Sequence, residues 1–362
     1  MGDKIKNPIL QKYIDEGRKI YSFSKLSTMN TCEYEYWNTY IDKKKGKDNV
    51  YSIIGGSLHD SIENIYNGSS DKSTMVNKFH DQLIELELLN IKFPNQKIKD
   101  SYVADVGHFV KNFKPIDSKF VLEKHIVFPL NDDIVLQGYL DAIQPSEKGK
   151  PFVNIIDWKT SSKFSGKKLN EAGRQLLMYK LALESTTSLK VDKIMWFMIK
   201  YLYVSWRLKN GKIKKKMCNR GKWVKEMRNT LEKDLIKLNI DQFELDILLD
   251  NAIKNNNIDD LPEEVKSKYI LEDCFVEYEA TEEKIEELKE YVISTVNNIE
   301  SKGIDSIEWQ PVEITKYDSF YCATLCGHRQ VCPFYKKFLD KNSEGFDKKK
   351  DSGMVDLDEL FT

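Results

Sequence analysis

The sequence predicts a mixed α/β (α+β) fold in which helices flank a central mixed β-sheet. Three segments after Pro115 alternate in polarity and are rich in β-branched residues, as strands of a meander are: residues 120–128, 134–143 and 152–158. A helical pattern over residues 169–184 and a further strand pattern over 193–208 follow. Strands, then a helix, then another strand are typical of a mixed sheet covered by helices.

The segments on either side of these strands have helical spacing. Ser24 is a candidate N-cap for a helix over residues 24–40, and Gly55-Gly56-Ser57 is expected to open a second helix. Further helical patterns cover residues 72–90, 98–112, 222–254 and 281–302. One short strand is predicted over residues 274–278.

Composition describes a globular protein without a strong charge bias. The 362 residues carry 56 basic and 57 acidic side chains, a net charge of -1. An anionic partner must therefore be bound by a local patch rather than by net charge. The N-terminal segment is charged and lacks the apolar stretch of a secretory signal, and no later window is apolar enough for a membrane span. We therefore expect a cytoplasmic protein with no membrane partner.

Composition and motifs divide the chain into five regions. An N-terminal helical region covers residues 1–115, and a β-rich core covers 116–208. A basic segment with a helical insertion follows over 209–305, then a cysteine-rich region over 306–340 and a disordered tail over 341–362. The acidic stretch 241–264 is expected to be an exposed helical insertion.

Two predicted strands end in charged residues where a buried strand should stay apolar. The first ends in Gly138-Tyr139-Leu140-Asp141, and the second contains Asp157-Trp158-Lys159. Because side chains alternate along a strand, Asp157 and Lys159 point to the same face. Two carboxylates that hold a hard cation, with a lysine beside them to orient or deprotonate water, suit phosphodiester hydrolysis.

The following helix carries Gln175 and Tyr179 on one face, at positions i and i+4. Together, the Gly-x-x-Asp strand, the Asp-x-Lys strand and the Gln-x-x-x-Tyr helix resemble the PD-(D/E)XK nuclease superfamily in its RecB-like branch. The resemblance implies a restriction-endonuclease-like core and a catalytic set with Mg or Mn as cofactor: Asp141, Asp157, Lys159, Gln175, Tyr179 and, less firmly matched, Glu123. It also implies a metal-ligand set, which is His59, Asp141, Asp157 and the backbone carbonyl of Trp158.

Cysteines cluster near the end of the predicted fold. Cys322, Cys326 and Cys332 fall within eleven residues, a spacing typical of an iron-sulfur or zinc site. Within the RecB-like branch, AddB-type recombination nucleases and CRISPR adaptation nucleases carry a similar 4Fe-4S cluster, and the resemblance makes Cys32 its fourth ligand. Three residues separate the first two clustered cysteines where that family has two, so zinc, with His328 as a substitute ligand, stays open.

A basic stretch follows the predicted core. Residues 200–228 hold eleven Lys and Arg against one Glu, with aromatic residues interleaved. Cations that follow phosphates and rings that stack on bases are the ingredients of a single-strand groove, although such a run also fits a solvated hairpin around Asn210-Gly211. The candidate DNA-binding residues are Lys214, Lys215, Lys216, Arg220, Trp206 and Trp223.

These features predict a metal-dependent DNA exonuclease of replication, recombination or repair, acting on single strands or duplex ends, of phage or bacterial origin. The alternatives are a structure-selective or restriction-type endonuclease and a catalytically inactive DNA-binding partner. Residues 356–361 of the predicted disordered tail loosely resemble the peptides by which bacterial DNA enzymes bind the sliding clamp. A clamp or recombination partner is therefore a further expectation.

Overall fold

The computed structural model describes residues 7–208, 210–315 and 318–347. The chain divides into two compact units, each assembled from separate stretches of sequence. Unit 1 comprises Met1–Ile53, Val127–Gly138 and Glu282–Thr362, and unit 2 comprises Ile54–Ile126 and Tyr139–Thr281.

Seven strands of the described chain form one mixed sheet. They are β1 (Lys19–Ser22), β2 (Val121–Pro129), β3 (Ile134–Pro145), β4 (Phe152–Lys159), β5 (Lys190–Arg207), β6 (Ile213–Asn219) and β7 (Tyr269–Tyr278). The order is β1-β3-β4-β5-β6, with β2 paired to β3 and β7 paired to β5. The β1–β3 and β4–β5 pairs are parallel, whereas β3–β4, β5–β6 and β5–β7 are antiparallel. The predicted mixed sheet is confirmed.

Helices precede, interrupt and follow the strands. They are α1 (Pro8–Asp15), α2 (Phe23–Thr31), α3 (Glu33–Tyr36), α4 (Val50–Tyr66), α5 (Lys72–Leu88), α6 (Gln96–Asn112), α7 (Lys167–Thr186), α8 (Trp223–Ile236), α9 (Gln242–Asn255), α10 (Glu263–Lys266), α11 (Glu282–Glu300) and α12 (Pro333–Asp347). Two π-helical turns span Trp37–Ile41 and Tyr321–Leu325, and two 3₁₀ turns span Arg220–Lys222 and Ser306–Glu308. No helix of the described residues is long and apolar enough to span a bilayer.

The first two predicted helices begin elsewhere than expected. Ser22, not Ser24, caps α2, because its hydroxyl accepts the Lys25 N–H at 3.2 Å. Cys32 then adopts an extended conformation that separates α2 from α3. Helix α4 starts at Val50 and contains Gly55-Gly56, because the Asn49 side chain accepts the first free backbone N–H groups of the helix.

The region after β5 also differs from the prediction. Residues 222–254 form two helices, and the lysine-rich residues 213–219 form a strand. The acidic segment is not an exposed insertion, because Leu245 and Leu249 of α9 are buried in an apolar cluster of unit 2 together with residues of α8 and β5. Helix α12 reaches Asp347, beyond the predicted start of the disordered tail, and residues 348–362 with the clamp-like peptide lie outside the described residues.

Candidate active site and cysteine site

Two neighbouring strands bring the predicted carboxylates together within unit 2. Strands β3 and β4 are antiparallel, with Ala142 paired to Ile156. One step beyond this pair, Asp141 and Asp157 therefore lie across from each other. The Asp157 side chain is buried, with 2% of its surface exposed. The sheet thus holds two acidic groups side by side, where apolar residues would otherwise pack.

Three side chains of unit 2 form a set of possible metal ligands. One ligand atom each from His59, Glu123 and Asp141 lies within 4.8 Å of the others. Glu123 has a φ of 45°, the left-handed region, although it belongs to a strand. For a residue other than glycine this conformation costs about 1 kcal/mol or more. The strained backbone places the Glu123 carboxylate in this set.

Backbone groups of Trp158 fix the orientation of His59 and Asp141. His59 Nε2 lies 2.9 Å from the Trp158 carbonyl oxygen, which can only accept, so Nε2 carries the proton. The unprotonated Nδ1 therefore faces Asp141 Oδ2 at 3.6 Å. The Trp158 N–H donates to the same Asp141 oxygen at 2.8 Å. One residue thus sets both the imidazole tautomer and the carboxylate position.

A second chain of contacts runs from β4 to α7. Lys159 Nζ lies 2.7 Å from Asp157 Oδ2, an oxygen that has no other hydrogen-bond partner in the described chain. Lys159 Nζ also donates to Gln175 Oε1 at 3.1 Å, and Gln175 Nε2 donates to the Tyr179 hydroxyl at 2.8 Å. Gln175 and Tyr179 thus lie on one face of α7, as predicted, and together they hold the Lys159 amine.

Burial and neighbouring charge shift the pKa values of this site. Desolvation, and then the charge of Asp157, raise the pKa of Asp141 well above its usual value. Burial alone would lower the pKa of Lys159, but the Asp157 and Asp141 carboxylates outweigh it and raise that pKa. Burial lowers the pKa of His59. The site therefore holds a neutral imidazole and a firmly protonated lysine beside carboxylates that repel each other.

These donors fit a hard divalent cation, and they share His59 and Asp141 with the predicted ligand set. Carboxylate oxygens and one imidazole nitrogen suit Mg or Mn. A bound cation would also offset the repulsion between the neighbouring carboxylates of the site. Glu123 joins His59 and Asp141, although it was the least firmly matched residue. Among the described residues, Asp157 is outside this set and pairs with Lys159, while the Trp158 carbonyl accepts from His59.

The predicted cysteine ligands all belong to unit 1 and line a single cavity. Cys32, Cys322, Cys326 and Cys332 surround it, and none forms a disulfide. The Val312 N–H donates to the Cys32 sulfur at 3.4 Å, an interaction that suits a thiolate ligand. At the Gly327 backbone, an added Cβ would lie 3.1 Å from Gly46 Cα, so a side chain here would crowd the Gly46 backbone.

Burial affects the ionisation of the cysteines that line this cavity. Burial raises the pKa of Cys322 to about 12 and also raises that of Cys326. A positively charged group must therefore enter the cavity before these thiols ionise.

Sequence reasoning missed one acidic group beside the cysteines. The Glu35 carboxylate accepts hydrogen bonds from the Tyr321 hydroxyl and from the Gly327 N–H. His328, considered as a zinc ligand, is buried, and its Nε2 lies 3.0 Å from Thr39 Oγ1. His328 also lines the cavity that the four cysteines surround.

Two of the six predicted DNA-binding residues are buried and cannot contact DNA in this conformation. Trp223 is 1% exposed and its indole N–H donates to the Asn256 carbonyl, so it is a core residue that cannot stack on a base. Arg220 is 6% exposed because it pairs with Asp273 and donates to the Ile199 carbonyl. Trp206 packs against the same apolar cluster as Trp223.

The three consecutive lysines lie on β6 and differ in their contacts. Lys215 pairs with Glu272 at 3.2 Å and lies over the Tyr203 ring. Lys216 donates to the Glu226 backbone carbonyl. Lys214 is exposed and sits opposite Trp206 on the neighbouring strand. Of the predicted patch, Lys214 is therefore the residue most available to a phosphate.

Comparison with known proteins agrees with this geometry. A family model described as the PD-(D/E)XK nuclease superfamily matches residues 20–333, a range that includes every side chain of the candidate active site and the four clustered cysteine positions. No curated protein matches the chain. Family membership supports metal-dependent nuclease activity with DNA as the substrate. On the extent of this match, the chain belongs to the PD-(D/E)XK nuclease superfamily.

Proposed function

We propose that this protein is a metal-dependent DNA exonuclease that acts on single strands or duplex ends. The observation that carries the proposal is the meeting of His59, Glu123 and Asp141 beside the Asp157–Lys159 ion pair. Strained backbone at Glu123 and a buried like-charge carboxylate pair destabilise the fold. Both features are typical of functional sites.

The chain's own residues have distinct tasks in this proposal. His59, Glu123 and Asp141 would hold Mg or Mn, with Asp157 beside them, and the bound ion would supply activated water and charge neutralisation at the phosphate. Lys159, whose pKa is raised by the Asp157 and Asp141 carboxylates, would act as a hydrogen-bond donor that orients the attacking water or a phosphate oxygen. Gln175, held by Tyr179, keeps the lysine amine in place.

We assign the four-cysteine cavity to a 4Fe-4S cluster rather than to zinc. The convergence of four cysteines on one cavity supports this assignment, because a 4Fe-4S cluster is held by four thiolates. Cys32 and the segment from Cys322 to Cys332 are almost a whole chain apart in sequence, and both belong to unit 1. The cluster would join them. Its contribution would be to folding, since metal binding of this kind stabilises the native state.

The proposal is tested with three labelled substrates of one sequence: linear single strand, linear duplex and covalently closed single-stranded circle. In Mn, we expect both linear substrates, or the single strand alone, to be shortened from an end while the circle stays intact. Cleaved circles would support the endonuclease alternative instead. Asp141→Asn is the matched control, because it removes charge but keeps an oxygen for the Trp158 N–H.

The same assay addresses the inactive-partner alternative. A preparation that binds DNA and contains its cluster, yet cuts no substrate in Mg or Mn, would contradict the enzyme assignment.

For partners, we propose the sliding clamp as a target of residues 356–361. Truncation after Lys350 should leave nuclease activity intact and abolish clamp pull-down; if the full-length chain never binds clamp, this part is wrong.

A further inference from the structure

An exposed tyrosine lies on the strand that carries the metal-binding aspartate. Tyr139 is 44% exposed, whereas Leu140, the next residue along β3, is fully buried. Because side chains alternate in a strand, Tyr139 and Asp141 point to the face opposite Leu140. Two residues of strand separate them by about 7 Å. An aromatic ring therefore stands beside the proposed metal site and open to solvent.

A histidine from the neighbouring strand stacks on this tyrosine. The rings of His125 and Tyr139 have centroids 4.6 Å apart and an interplanar angle of 21°. His125 follows Glu123 by two residues on β2, which pairs with β3. Each member of the pair is thus two residues from a carboxylate of the metal-ligand set. Stacking holds the tyrosine ring in a fixed orientation, which reduces the entropy lost when it binds a planar ligand.

We propose that the Tyr139–His125 pair is a stacking platform for the nucleobase next to the scissile phosphate. The inference rests on the proposed function and specifies its substrate as a strand with unpaired bases. Any base can stack on an aromatic ring, so the platform would bind without sequence preference. A base within a duplex is already stacked between its neighbours, and must be freed before it reaches Tyr139. Tyr139 is therefore a positioning residue that favours single-stranded ends.

Binding and base deletion together test the platform. Affinity is measured in Ca, without Mg or Mn, for single strands in which one abasic nucleotide moves stepwise from the end. For the wild-type protein, we expect one abasic position to weaken binding about 5- to 150-fold, as loss of one base–aromatic stack does. Tyr139→Ala should weaken binding of the intact strand by the same factor as the abasic nucleotide weakens binding to the wild type. An abasic nucleotide at that position should then cause no further loss of affinity in Tyr139→Ala.

Two variants separate stacking from a structural role. Tyr139→Trp should restore affinity and sensitivity to the abasic position. Phe152→Ala removes another exposed aromatic residue of the sheet, at the start of β4, and should behave as the wild type. If wild-type affinity ignores every abasic position while Mn-dependent cleavage persists, the platform is wrong and the nuclease assignment stands. If the wild-type protein neither binds nor cleaves DNA, both are wrong.

Discussion

Removing the positive charge of Lys159 should separate catalysis from metal binding. Lys159→Met keeps the length of the side chain but removes its contacts with Asp157 and Gln175. Loss of one positioned donor at a reacting phosphate lowers turnover by about two to three orders of magnitude. The substitution also removes a positive charge beside Asp141 and Asp157, so we expect metal affinity to be kept or increased.

The same substitution has a predictable effect on stability. Asp157 is 2% exposed, so without Lys159 its carboxylate is buried and unpaired. Breaking a buried ion pair costs about 3 to 5 kcal/mol of unfolding free energy, and we expect the lower end because the Lys159 side chain is 24% exposed. A bound cation supplies the missing charge, so the loss should be smaller in Mn than in EDTA.

Three measurements on one preparation check this reasoning. They are the cleavage rate of a labelled single strand, Mn affinity by calorimetry, and urea unfolding with and without Mn. Lys159→Arg is the control, because it keeps a cation near Asp157 and should retain stability while its rate falls between those of wild type and Lys159→Met. A Lys159→Met protein that cleaves at the wild-type rate would refute the role of the lysine.

Three further predictions concern the metal site, the cysteines and the basic strand. EDTA should abolish cleavage and Mg or Mn should restore it, while Ca supports binding alone; activity in EDTA would contradict the metal assignment. Protein purified without oxygen should be brown with about four irons per chain, and Cys326→Ser should lower iron content and thermal stability; stoichiometric zinc in colourless protein would contradict the cluster. Lys214→Ala should flatten the salt dependence of single-strand binding by about 0.7, and Lys215→Ala by less because Glu272 already pairs with it; an unchanged slope would show that β6 does not bind phosphate.

The mixed sheet and the succession of β2, β3 and β4 were predictable because their sequence patterns are local. Segments rich in β-branched residues identified these three strands, and Asp157 and Lys159 had to share a face. Helix starts were harder to place. The caps at Ser22 and Asn49 depend on which side chain reaches a free N–H, and a neighbouring serine or glycine gives a similar signal.

Burial was the main property that the sequence did not reveal. A run of cations with interleaved aromatic residues has the same composition whether its rings face solvent or core, and Trp223 faces the core. Glu123 illustrates the opposite case, since a residue with weak motif support joins the ligand set only through an unusual backbone conformation. Both outcomes depend on contacts between residues that are distant in sequence.

The most direct test of the central claim is a Mn titration of wild-type and Asp141→Asn protein, followed by electron paramagnetic resonance, with single-strand cleavage measured on the same samples. The claim is that His59, Glu123 and Asp141 hold the ion that DNA cleavage requires. We predict that wild-type protein binds Mn tightly and cleaves, and that Asp141→Asn, although folded, loses both. Equal Mn binding and equal cleavage by the two proteins would contradict the claim.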